Sequence, residues 1–240
     1  MMTGSNRPGP AGTPAPDGAL PVSLGGETLL LHPGRVVLWP AARTLFAADV
    51  HLGKEAVFRE RGIAVPEGAT DTDLGRLAAL ATRHRCDRII VLGDLFHALP
   101  SSAQRLVAAV DAWLDGLAGI RVQVVAGNHD RAGVQRRFAR LGWLPEAAVL
   151  GPFVLCHEPP EPEDHAGFVL AGHLHPCWRL RIGGDRLRMP VFWSSGDCLV
   201  LPAFGSFTGG WNVAPGRRDR LWVVGPDAVV EVPVTGRRQR

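Results

Sequence analysis

Tyrosine is absent from the 240 residues, and lysine occurs once, at Lys54, so arginine carries nearly all of the 26 basic positions. The bias runs through the whole chain, which points to the base composition of the gene rather than to a local function, although guanidinium groups suit bidentate phosphate contacts. Cysteine is scarce. Cys86, Cys156, Cys177 and Cys198 form no C-x-x-C pair, which excludes a zinc-ribbon pattern and leaves free buried thiols in a reducing compartment as the reading. No apolar run approaches the ~20 residues of a membrane span. The first 19 residues, rich in Pro, Gly, Ala and Thr, lack the continuous apolar core of a secretory signal. A cytoplasmic protein with no membrane partner is therefore expected. The charge balance is also unremarkable: a formal net charge of +3 neither demands nor excludes nucleic acid.

What is present suffices for one sizeable domain, with 46 % hydrophobic residues. Residues 1–20 are expected to be a disordered tail and residues 21–236 a single domain, with Arg237-Arg238-Gln239-Arg240 a solvated end. Glu27 to His32 and Arg35 to Trp39 flank Pro33-Gly34 as a hairpin. Helices are expected over about Glu55 to Arg61, stopped by Gly62, and from a cap at Asp71 or Thr72, with Leu74, Leu77, Ala78 and Ala81 as the apolar stripe. Another is expected to open at Ser101 or Ser102, and a short Arg-rich one over Gly133 to Leu141. Strand and helix alternate up to Leu150, as in a layered α/β domain. Beyond it the pattern predicts strands almost only, mostly antiparallel, with Gly183-Gly184-Asp185 as a hairpin turn.

Five short apolar runs end in His, Asp or Asn. Thr44 to Ala48 leads into Asp49-Val50-His51, and Arg88 to Leu92 into Gly93-Asp94-Leu95-Phe96-His97. Ile120 to Ala126 leads into Gly127-Asn128-His129-Asp130, Phe153 to Cys156 into His157, and Gly167 to Ala171 into Gly172-His173-Leu174-His175. Apolar runs of this length read as buried strands. Side-by-side strands deliver their C-terminal ends to one sheet edge, where open α/β folds place ligands. A single loop histidine is ordinarily a surface or capping residue, and His32, His84 and His165 are read that way. Five such clusters together point to one site, and its residue types suit two metals.

A two-metal hydrolase needs a bridging carboxylate, ligands that leave positions open for water, and a group that protonates the leaving oxygen. Asp94 is the candidate bridge. Asp49, His51 and His175 would complete one site, and Asn128, His157 and His173 the other. In Gly172-His173-Leu174-His175 an irregular turn would let the two histidines straddle the ions while Leu174 points into the core. Two divalent ions against two ionised Asp and a bridging hydroxide leave about +1, a centre fit for attack by that hydroxide on a phosphate ester. His129, beside a ligand but not needed as one, is the candidate general acid. His97 sits at the same mouth and could touch a phosphate or the leaving group; Lys54 and Arg131 are weaker mouth residues. Arg136, Arg137 and Arg140 read as a solvated helix face.

At these residues the chain resembles the calcineurin-like metallophosphoesterase superfamily, whose signature D-x-H, G-D, G-N-H-[DE], H, G-H-x-H is matched in order between about residues 45 and 176. The resemblance implies a four-layer α-β-β-α sandwich and a dinuclear centre of manganese, iron or zinc. With Asp49 to Lys54, Gly93 to His97, His157-Glu158-Pro159, Gly172 to Pro176, Leu201-Pro202-Ala203-Phe204-Gly205 and Thr208-Gly209-Gly210, it looks more narrowly like the bacterial ligase-associated DNA damage response endonucleases. These are manganese-dependent phosphodiesterases, which implies DNA as substrate and a DNA ligase and a helicase-like protein as partners. Gly-Asp-Leu-Phe-His also resembles the double-strand-break repair nucleases of the superfamily, where the added histidine contributes to nuclease action, as His97 would here. Those proteins carry a large extra capping region for which the roughly sixty residues after Pro176 leave no room.

Three functions therefore compete: a metal-dependent phosphodiesterase acting on DNA, a small-molecule nucleotide phosphohydrolase on the same centre, and a non-catalytic repair scaffold. No base-stacking aromatic patch is evident in the sequence, which keeps the second open. All seven ligand candidates and His129 are present, which ranks the third last.

Overall fold

The computed structural model describes residues 17–98, 103–161, 165–182 and 184–234. The tail expected over residues 1–20 lies, up to residue 16, outside the described residues, as do the helix start at Ser101 or Ser102 and the Arg-rich C-terminal end. Asp17 to Leu20, also assigned to the tail, belong to the fold: Ala19 is fully buried and the first strand begins at Leu20.

In chain order the elements are β1 (Leu20–Leu24), β2 (Glu27–His32), β3 (Val36–Trp39), β4 (Thr44–Ala47), α1 (Lys54–Glu60), α2 (Ala69–Arg83), β5 (Arg88–Leu92), α3 (Ala103–Gly116), β6 (Arg121–Val125), α4 (Ala132–Arg137), β7 (Gly142–Leu144), β8 (Ala148–Leu150) and β9 (Phe153–Leu155). They continue as β10 (Phe168–Ala171), β11 (Pro176–Ile182), β12 (Asp185–Ser195), β13 (Cys198–Val200), β14 (Trp211–Asn212), β15 (Arg220–Val224) and β16 (Val229–Val232). The first sheet runs β1-β2-β3-β4-β5-β6-β7; the second runs β14-β11-β12-β13-β10-β9-β8, with β15 and β16 paired beside β12. The fold is therefore mixed α/β, two sheets with helices outside, as the patterning predicted.

The sheets meet through an apolar layer that includes Leu29, Leu31, Phe46, Ile90 and Leu92 from the first, and Phe153, Leu155, Leu170, Phe192 and Trp222 from the second. The other face of the first sheet, with Leu45, Ile89, Val91 and Val124, packs on Leu74, Leu77, Val110, Trp113 and Val134 of α2, α3 and α4. Covered on both faces, β4 and β5 are continuous apolar runs rather than alternating ones, as buried parallel strands are. Among the described residues every helix precedes Phe138, so α2, α3 and α4 all serve the first sheet.

Two local expectations change. Helix α2 starts at Ala69 after a left-handed Gly68, not at a cap on Asp71 or Thr72. Thr70 is instead fastened to α1: its hydroxyl accepts the Gly53 N–H and donates to Glu55 Oε1. The second sheet is also less antiparallel than expected, because β9, β10 and β13 pair in parallel. That parallel centre is what sends the loops after β9 and β10 to the same edge as those after β4, β5 and β6.

Candidate metal centre

The loops after β4, β5, β6, β9 and β10 converge as the sequence predicted. Asp94 Oδ2 is 3.6 Å from His157 Nε2 and 3.9 Å from His129 Nε2. His175 Nε2 is 3.2 Å from Asp49 Oδ1 and 3.3 Å from His51 Nε2. His173 Nδ1 is 3.1 Å from His157 Nε2 and 3.5 Å from Asn128 Nδ2. All seven ligand candidates thus share one site. Asp49, His51, Asp94 and His157 form its buried floor, while Asn128 and His129 are exposed at its mouth.

The backbone is bent into uncommon conformations to achieve this. Asp49, His51, Asp94, His173 and His175 all have positive φ, between 44° and 68°. Left-handed non-glycine residues cost roughly 1–2 kcal/mol each, and such strain gathers where side chains are held for function. The glycines of the motifs serve close approach. A Cβ on Gly93 would collide with the His157 ring, and one on Gly127 with Asp94. One on Gly172 would sit 2.9 Å from Asp49 Oδ2. Leu174, expected in the core, is only half-buried, because the turn that swings out His173 and His175 lifts it too.

The donor chemistry fits a divalent cation. His157 Nδ1 lies 3.2 Å from the Leu92 carbonyl, which can only accept, so Nδ1 carries the proton and the bare Nε2 faces Asp94 and His173. A histidine ligand is oriented in this way by a hydrogen bond from its second nitrogen. Asp49 Oδ1 is buried without a hydrogen-bond partner, an acceptor left for a cation. Burial, reinforced by His175, Lys54, His97 and His129, pushes the His51 imidazole down to about 2, so it is a neutral donor. His97 is likewise pushed down to about 4 by burial and then by Lys54 and His129. Its ring lies 5.1 Å from that of His129 and 5.6 Å from that of His51, so it stands beside the acid candidate as expected. Lys54 sits over the Phe58 ring; Arg131 is exposed.

Asp17, His32 and His84 form another close Asp-His-His group. Here the hydrogen bonding is reversed. His32 Nδ1 accepts the Gly34 N–H at 2.8 Å, so Nε2 carries the proton and faces Asp17 instead of offering a lone pair. His32, read as a surface or capping residue, is 7 % exposed, and it is the capping role that its bond to the Gly34 N–H shows.

Several supporting residues had no site role in the sequence reading, although Asp130 and Pro202 to Gly205 stand in its motifs. Asp130, 1 % exposed, accepts the N–H groups of Leu95, Phe96 and Gly127 and so locks the β5 loop to the β6 loop. Burial pushes its carboxyl up to about 6. Glu146 accepts the His157 N–H at 2.9 Å. The Pro202-Ala203-Phe204-Gly205 stretch backs the Asp49 loop: the Phe204 N–H donates to Ala48 O and the Gly205 N–H to Asp49 O. Trp211 is 74 % exposed and its main-chain N–H donates to the His175 carbonyl. Phe58 stands near His97 and packs on Phe207 at 5.4 Å. The signal for Trp211 was only its lone position after Gly209-Gly210.

A chain whose parallel strands deliver this donor set to one edge is a metal-dependent phosphoesterase. The profile of the calcineurin-like phosphoesterases matches residues 42–230, and the chain belongs to that family. Among solved structures it is similar to the Pseudomonas putida nuclease MPE, with 36 % identity and a TM-score of 0.76 over 89 % of this chain and 100 % of that one. No curated protein matches significantly. Among the described residues no helix is long and apolar enough to cross a membrane.

Proposed function

We propose that the protein is a phosphodiesterase acting on DNA in repair, with two divalent ions, manganese before iron or zinc. Asp94 would bridge them, Asp49, His51 and His175 would complete one site, and Asn128, His157 and His173 the other. The observation that carries the reading is the convergence of seven donors on one edge with an eighth residue, His129, outside the donor set at the exposed mouth. The likeness to a nuclease over nearly the whole chain supports a nucleic-acid substrate over a free nucleotide. The exposed Trp211, tied through its main-chain N–H to the His175 carbonyl, would offer a surface for base stacking.

When bound, the ions supply the positive charge that activates water and neutralises the phosphate. The protein's own groups do the rest. The His129 main-chain N–H donates to Asp94 Oδ1 at 3.0 Å, which ties the acid's backbone to the proposed bridge. Its exposed side chain then holds a proton where the leaving oxygen departs. His97 stands behind it as a neutral imidazole able to contact a phosphate oxygen. Association with a DNA ligase and a helicase-like protein rests on the sequence resemblance alone.

The test is hydrolysis of bis-p-nitrophenyl phosphate and of the monoester with added manganese, for wild type, Asp94→Ala and His129→Ala, followed by DNA. Diester activity abolished by the first change and reduced by the second supports the reading. A strong monoester preference favours the small-molecule phosphohydrolase, and metal binding without hydrolysis favours the scaffold.

A further inference from the structure

The antiparallel ribbon of β11 and β12 leaves the metal centre directly, since Pro176 follows His175. Its register sets Arg179 opposite Arg188 and Arg181 opposite Arg186, and its only acid is Asp185 at the turn. Like charges directly opposite one another destabilise a strand pair. Trp178, Leu180 and Met189 alternate onto the other face and pack with Val191 and Val213, so the ribbon is amphipathic, one side core and the other arginine. Arg179, Arg186 and Arg188 are exposed. Among the described residues neither Arg186 nor Arg188 forms an ion pair, whereas Arg179 is held by Asn212, whose amide oxygen accepts from Nε and Nη2 at 3.2 Å when turned toward it.

The arginine face opens onto the metal site. A groove of about 320 Å³ is lined by His175, Cys177, Arg188 and Arg35 together. Arg35 donates to the carbonyl of Ala203, which lines the same groove. From His175 to Arg179 is about 13 Å along an extended strand, so the positive charge starts within the groove and continues outward. A row of guanidinium groups running past it fits a substrate with repeated phosphates.

We infer that the groove between Arg35 and Arg188, extended by Arg179 and Arg186, carries the phosphate backbone of a nucleic-acid strand away from the metal centre. The inference rests on the DNA-directed phosphodiesterase reading and adds where the strand lies.

The test compares the full-length, manganese-loaded protein with a variant carrying Arg179→Gln, Arg186→Gln and Arg188→Gln. A charge-matched control carries Arg83→Gln, Arg217→Gln and Arg218→Gln. Binding and cleavage of a labelled DNA strand of about 20 nucleotides are measured between about 0.05 and 0.3 M salt, beside hydrolysis of bis-p-nitrophenyl phosphate. Each lost phosphate contact removes about 0.7–0.9 from the log–log salt slope, so the ribbon variant should lose about 2 to 3. Its KM for DNA should rise about tenfold or more while its kcat/KM for the small diester stays within about twofold. The control should keep most of the wild-type slope. A ribbon variant with wild-type slope and KM on DNA overturns the inference and leaves the proposed function standing. Equal loss on the small diester overturns it too, because the arginines would then be supporting the metal site. A wild type that hydrolyses the small diester but neither binds nor cuts DNA removes both readings.

Discussion

The imidazoles of His51 and His175 face each other Nε2 to Nε2 at 3.3 Å, although 124 positions separate them in the chain. Burial holds the His51 ring neutral, so at this distance the two nitrogens either share one N–H or, with both bare, face a common cation. A divalent ion would accept both lone pairs. At a hundredfold excess over Kd such an ion stabilises the fold by about 2.7 kcal/mol. For a domain of this size that is about 5–10 °C in Tm. We expect manganese to raise Tm by about this amount in wild type, and much less in His51→Ala or Asp94→Asn, in a calorimetric scan against chelator-treated protein.

His129 should matter most where the leaving group is hardest to expel. An alkoxide leaving from DNA needs a proton, whereas p-nitrophenolate leaves readily without one. His129→Ala should lower kcat on DNA by about 10²–10⁴-fold and on bis-p-nitrophenyl phosphate by clearly less. Equal losses in single-turnover assays on both substrates would remove the acid role.

Two glycines with nearly the same backbone separate conformational strain from site geometry. Gly93 has φ 76° and Gly62 has φ 78°. An added Cβ meets His157 at the first and nothing within 4 Å at the second. Gly62→Ala should cost about 1–2 kcal/mol in urea unfolding with manganese affinity unchanged. Gly93→Ala should cost more and weaken manganese binding about 10–100-fold, read by metal titration, because the ligand ring must shift.

Acid should destabilise the fold partly through His32, remote from the metal donors. Burial, and then His84, pushes this imidazole down from 6.5 to about 4. Between those values the unfolded chain binds a proton that the folded one does not, so stability falls as pH falls through that window. The shift corresponds to at most about 3 kcal/mol. His32→Gln keeps an acceptor for the Gly34 N–H and carries no titratable group. Its stability should fall less than that of wild type between pH 6.5 and 4 in urea titrations of the metal-free protein.

Much of this was legible in the linear chain because its physics is local. An apolar run such as Arg88 to Leu92 reads as a buried strand, and a polar residue at its exit stands at the sheet edge. Five repetitions therefore brought Asp49, His51, Asp94, Asn128, His157, His173 and His175 together as candidates without a structure. Asp130, Glu146 and Trp211 were not legible in that way. Asp130 matters because it meets the N–H groups of Leu95 and Phe96 from another loop, and Trp211 because β14 pairs with β11 next to His175.

The sequence by itself thus determined the fold class and which donor and acid candidates stand at strand exits, since each follows from residue type and strand period. Tertiary structure alone decided which nitrogen of His157 is bare, that five site residues take left-handed backbone, and that His32 spends its Nδ1 lone pair on the Gly34 N–H. It also decided where the ribbon arginines lie relative to the metal site. These depend on partners distant in sequence, the Leu92 carbonyl, the Gly34 turn and the β11–β12 register, whose positions exist only once the two sheets have closed on their common core.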